Sequence, residues 1–73
     1  MLKITRWVLD EKTGNHFGRR EPYTVDESLL SYTNYLKGAG YKELGAYDDF
    51  DKVMAIPSPS VYGRSLFVGI SVV

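Results

Sequence analysis

Thr24-Val25-Asp26-Glu27-Ser28-Leu29-Leu30-Ser31-Tyr32-Thr33-Asn34-Tyr35-Leu36-Lys37-Gly38-Ala39-Gly40-Tyr41 decides the fold, because this stretch has a legible helix start, apolar stripe and stop. Thr24 with Glu27 three residues later fits a capping box, and Asp26 and Glu27 stand in the first turn, where the helix dipole favours acids. Leu29, Tyr32 and Leu36, with Val25, recur at the spacing of one helix face and predict a buried stripe. With Gly40 as the left-handed residue after the helix, Leu36 and Tyr41 become the apolar pair of a Schellman motif.

Strand patterns flank this helix on both sides. Leu2 to Asp10 alternates, with Leu2, Ile4 and Val8 on one face and Trp7 and Leu9 on the other. Glu11 to Asn15 is turn chemistry, in which Gly14 and Asn15 tolerate positive φ. A returning strand is expected over His16 to Thr24. Pro22 cannot donate to a ladder, so that strand belongs at a sheet edge or frays there. After the helix, Tyr41 to Tyr47 reads as a strand weakened by Gly45, and Asp48-Asp49 as a turn. Phe50 to Ile56 suits a strand, with a short helical turn over Asp49 to Met54 as the competing reading. Pro57-Ser58-Pro59-Ser60 ends that element, since neither proline can donate. Ser65 to Val73 is the most hydrophobic strand. Leu66, Val68, Ile70 and Val72 share a face with Phe67 and Val73 opposite, which predicts a central position in the sheet.

The expected fold is therefore α+β: a mostly antiparallel sheet of four to five strands with one helix packed on a face, in the order β-β-α-β-β-β or β-β-α-β-β. Seventy-three residues make one domain, 1–73. A chain of this size buries only about 60% of the surface its unfolded form exposes, so its core is small. No cysteine is present, which excludes disulfides and thiolate zinc sites, and the single His16 cannot form a histidine cluster. Apolar packing must supply the stability, and the composition, 44% hydrophobic, allows it. The apolar run Leu66 to Val73 falls far short of the roughly 20 residues of a membrane helix, and no leader pattern opens the sequence, so a cytoplasmic location is expected.

Catalytic patterns are missing from the sequence. His16 beside a Gly-Asn turn has no visible orienting partner and is expected to be solvated. The serines fit no nucleophile elbow. Gly38-Ala39-Gly40 follows a helix instead of opening one, so it reads as a cap and not a phosphate loop. Glu43, Asp48, Asp49 and Asp51 lack the register of a calcium loop. No cofactor and no metal are expected, and an enzyme is the least favoured class.

What remains is recognition. Six tyrosines and one tryptophan accompany nine basic and nine acidic residues of zero net charge. Tyr, Trp and Arg dominate protein interfaces, whereas zero net charge gives no general attraction to nucleic acid or lipid. Tyr32 and Tyr41 are expected in the core, while Tyr35, Tyr47 and Tyr62 are as readily exposed as buried. The expected partner surface is the first hairpin with the later turns: Phe17, Arg19, Arg20, Tyr23, Tyr47, Asp48, Asp49 and Tyr62. The leading expectation is a non-catalytic protein-binding module, of the style of phage or mobile-element proteins that inhibit a larger host protein, as anti-CRISPR and other anti-defence proteins do. A single-stranded nucleic-acid binder using Phe17, Arg19, Arg20 and Tyr23 is the alternative, and a homodimer paired through an edge strand is the third. The ending Ser71-Val72-Val73 matches a carboxylate ligand for a PDZ-type groove, but its continuity with the hydrophobic strand favours burial.

Overall fold

A computed structural model describes residues 1–47 and 49–73. The chain runs β1 (Leu2–Asp10), β2 (Asn15–Phe17), β3 (Tyr23–Val25), α1 (Leu29–Gly38), β4 (Lys42–Tyr47), β5 (Phe50–Pro57) and β6 (Arg64–Val72). One antiparallel sheet results, in the order β2-β1-β6-β5-β4, with β3 on the same edge of β1 as β2. The most hydrophobic strand, β6, is central, and Phe50 to Pro57 is strand with no helical turn. The α+β class and the single helix agree with the pattern of the sequence. No helix among the described residues is long and apolar enough to cross a membrane.

The expected strand over His16 to Thr24 is instead two short strands, and the difference has a backbone cause. Between the pairs Val8–Phe17 and Ile4–Tyr23, β1 passes Thr5 to Trp7 while the edge chain passes Gly18 to Pro22. The edge chain therefore detours, beginning at Gly18 with φ 69°, and Pro22 has no N–H to rejoin the ladder earlier. One bond, from Arg20 N to Arg6 O at 3.1 Å, pins the detour to β1.

The helix also starts later than its capping-box pattern suggests. Thr24 and Val25 pair with Lys3 and Leu2 in the sheet, so they cannot enter a helix. Ser28 is the N-cap instead, its Oγ accepting from Ser31 N at 3.1 Å. Glu27 accepts from Ser31 Oγ rather than bonding a capping threonine. At the other end the sequence reading holds: Gly40 has φ 102°, its N–H donates to Lys37 O, and Tyr41 N donates to Leu36 O.

A Cβ at Gly40 would stand 3.0 Å from Ile56 Cδ1 in a left-handed backbone, whereas one at Gly38 meets nothing within 4 Å. Gly40→Ala should therefore destabilise by about 1–2 kcal/mol and Gly38→Ala stabilise by about 0.5 kcal/mol. Urea midpoints of the two variants should move in opposite directions.

Strand alternation divides the sheet into two faces. Leu2, Ile4, Met54, Val68 and Ile70 point to one side and meet Tyr32 and Leu36 of α1, forming the buried core. Val25, Leu29 and Tyr41 pack against it, so the predicted stripe is right, with Val25 joining from β3. Glu43 ties this side together, bridging Lys37 of α1 at 3.4 Å and Lys52 of β5 at 3.0 Å. The hydrogen bond from Lys52 holds the Glu43 carboxyl below its usual range. The expected burial of the last residues is not met. Val72 pairs with Leu2 and Val73 N donates to Met1 O, yet both valine side chains are exposed.

Candidate functional site

Among the described residues, no helix packs on the second face of the sheet. Trp7, Leu9, Val53 and Phe67 rise from β1, β5 and β6 on this side, and Phe50 folds over from the start of β5. The Phe50 ring takes the space above Gly69, its carbons 2.6–2.7 Å from where a Cβ would stand. Only glycine at the centre of β6 lets the ring lie so close. Trp7 then sits between Phe50 and Phe67, stacked on both, with centroids 5.3 and 5.5 Å away and planes inclined by 21° and 25°.

Both ends of this row are finished by the first hairpin. The Arg19 guanidinium lies 5.9 Å from the Phe50 centroid, and His16 meets Phe67 edge-on at 5.7 Å. Trp7 Nε1 donates to His16 Nδ1 at 2.9 Å. His16 is exposed, as expected, but it has a partner and is not merely solvated. Beyond the row, Leu44, Ala46 and Tyr47 of β4 complete an open groove of about 690 Å³ with Leu9 and Val53. That volume is enough for several side chains of a partner.

Strand β4 is shaped for an exposed edge. An extra residue falls on β4 between Glu43 and Gly45, and one on β5 before the pair Tyr47–Phe50. Gly45 has φ 109° within this double irregularity. Such bulges twist an edge away from regular pairing with another chain.

The residues expected to bind are dispersed. Tyr47 and Asp49 line the groove, whereas Phe17 and Arg19 line an adjoining hollow with Trp7, His16 and Phe50. Phe17 also lies 5.0 Å below the Arg64 guanidinium. Arg20 and Tyr23 belong to the helix side. Tyr62, 97% exposed, stands in the β5–β6 loop, at the opposite end of the sheet from Tyr47. Asp48 lies outside the described residues. Tyr35 is exposed, like Tyr47 and Tyr62, and Tyr32 is buried as expected. The sequence reading missed Trp7, Phe50, Phe67 and Leu44 as a group. Its signal was available: β1 and β6 carry large apolar residues on both faces, and one helix covers only one.

The helix side holds a second polar cluster. Arg6 donates from Nε to Tyr23 Oη at 2.9 Å, from Nη2 to Tyr32 Oη at 3.3 Å and from Nη1 to Tyr41 Oη at 3.5 Å. Burial works against its charge, but the bond and charge interaction with Tyr23, joined by Tyr32 and Tyr41, outweigh it and raise the guanidinium pKa. Burial would raise the Tyr23 phenol too, yet the hydrogen bonds with Arg6 and Tyr32 lower it below the ordinary value. Burial pushes Tyr32 up to about 12, helped by Tyr23 and opposed by Arg6.

A phenol whose pKa is raised by folding stabilises fully below its unfolded value of about 10 and loses that contribution as pH climbs through about 12. Tyr23 has the opposite sign. Wild-type stability should therefore fall between these pH values by more than that of Tyr32→Phe. Urea midpoints across that window, with the variant as reference, measure the difference.

No family model, curated protein or solved structure matches the chain.

Proposed function

We propose that this chain is a non-catalytic protein-binding module whose contact surface is the open sheet face around Trp7, extended by Leu44 and Tyr47. One observation carries the reading: a sheet of five strand positions is closed by α1 on one side only, leaving an aromatic row and an apolar groove without a cover. Exposed apolar patches rimmed by polar residues mark protein interfaces. Leu44 and Tyr47 are exposed while Trp7, Phe50 and Phe67 are half-buried, a gradient suited to an anchor in a partner's pocket beside a preformed floor. Restraint of a larger protein in the cytoplasm, as an inhibitor of phage or mobile-element type, is the form of binding we propose.

Nucleobase stacking fits this face less well. Trp7 already stacks on Phe50 and Phe67, and Arg19 lies over Phe50, so less flat ring surface remains for bases. The set Phe17, Arg19, Arg20 and Tyr23 is divided between the two sides of the sheet.

Leu44→Asp places a charge in the groove at a side chain 45% exposed, so folding should be preserved. Affinity capture from the native host should retain a protein on the wild type and on Tyr62→Ala, and lose it more than about tenfold on Leu44→Asp. Undiminished capture by Leu44→Asp would rule out this face.

A further inference from the structure

On the helix side, beyond the C-terminal end of α1, a cleft of about 270 Å³ separates Tyr41 from the edge detour. Its wall includes Arg6, Gly18, Arg20 and Tyr41, together with Trp7 and Phe67 of the aromatic row. Two arginines thus share one small concavity, and among the described residues no carboxylate lines it. Nor does either guanidinium have an acid within 4.0 Å among the described residues, whose ion pairs join only Lys37 and Lys52 to Glu43. Two cationic side chains lining one cleft without a carboxylate favour an anion there.

We infer that this cleft is a binding site for a phosphoryl oxyanion, held by Arg6 and Arg20. Arg6 is built for the purpose. Its three bonds to tyrosine hydroxyls use three of five N–H donors and fix the guanidinium plane, leaving one N–H on each terminal nitrogen. The tyrosines position it without neutralising it, since phenols below their pKa carry no charge. Arg20 is brought alongside by its own backbone bond to Arg6 O. Gly18, with φ 69°, turns the chain there, so the detour that interrupts the edge strand is also what carries Arg20 to the cleft. Forked arginine donors match the tetrahedral oxygens of phosphate better than a point charge would. The inference does not rest on the proposed protein-binding face, although Trp7 and Phe67 of that face also line the cleft.

Calorimetric titration at fixed ionic strength tests it, with inorganic phosphate in one arm and a short single-stranded oligonucleotide in the other. Saturable binding of phosphate with a Kd of about 1 mM or tighter is expected, with chloride giving none. Arg20→Ala should weaken it roughly tenfold. Arg19→Ala removes the same charge one residue away but on the opposite face, over Phe50, and should leave it unchanged. Oligonucleotide binding with the same Arg20 dependence assigns the phosphoryl group to a nucleic-acid backbone. Phosphate binding alone assigns it to a free or terminal phosphate. Absence of saturation in both arms up to about 10 mM, or equal weakening by Arg19→Ala and Arg20→Ala, would overturn the site.

Discussion

Leu36→Ala will lower the unfolding free energy by about 3 kcal/mol, the largest loss expected of any single truncation in α1. Leu36 is 1% exposed and stands where the helix meets Ile4, Met54, Val68 and Ile70. It is also the residue whose carbonyl accepts Tyr41 N, so its side chain packs where the chain turns back into β4. Alanine keeps that bond but leaves a cavity beneath α1. A domain this small has a total stability of roughly 5 kcal/mol, so most of it disappears. Leu30→Ala on the same helix removes an equal side chain that is 71% exposed and should change stability by less than about 0.5 kcal/mol. Urea denaturation followed by Trp7 fluorescence compares the two, and similar midpoints would mean that α1 does not close the core.

Trp7→Ala should cost about 2–3 kcal/mol, although Trp7 lies on the side of the sheet that no helix covers. The indole is held between two phenyl rings, and its removal breaks both stacks at once. Its hydrogen bond to His16 contributes little to this loss, because His16 is exposed and water can replace the donor. His16→Ala should therefore stay within about 0.5 kcal/mol of wild type. Trp7→Phe, which keeps an aromatic ring between Phe50 and Phe67, should fall between the two. Circular dichroism melts separate these variants, and a Trp7→Ala protein as stable as wild type would show that the row adds nothing to the fold.

The parts of this fold that were readable from sequence are those dictated by local chemistry. Gly40 between Leu36 and Tyr41 specifies its own Schellman geometry, and the alternation of Leu66, Val68 and Ile70 specifies a central strand. The helix start was not readable, because Thr24 satisfies the capping pattern as well as Ser28 does. The choice is made by distant Lys3, which pairs with Thr24 in the sheet. Likewise Pro22 signalled a weak edge, but the length of the detour follows from where β1 can pair on either side of it.

The candidate site was less legible than the fold. Arginines and tyrosines draw attention in a sequence, yet Arg20 and Tyr23 face the helix side and Tyr62 stands alone at one end. Trp7, Phe50 and Phe67 are 43 residues apart at their first and nearest members, and only strand register and the gap above Gly69 unite them. Apolar residues on both faces of β1 and β6, counted against a single helix, were the clue that one face would be left open.

The proposed protein-binding function rests on that open face being where a partner sits. Trp7 is the one tryptophan, so the chain labelled with 5-fluorotryptophan has a single fluorine resonance to report on it. In the free protein this resonance should respond to exchange of water for heavy water. When the captured partner is added, it should shift and lose that response. A complex that forms while the resonance stays in place and remains solvent-sensitive would contradict the account.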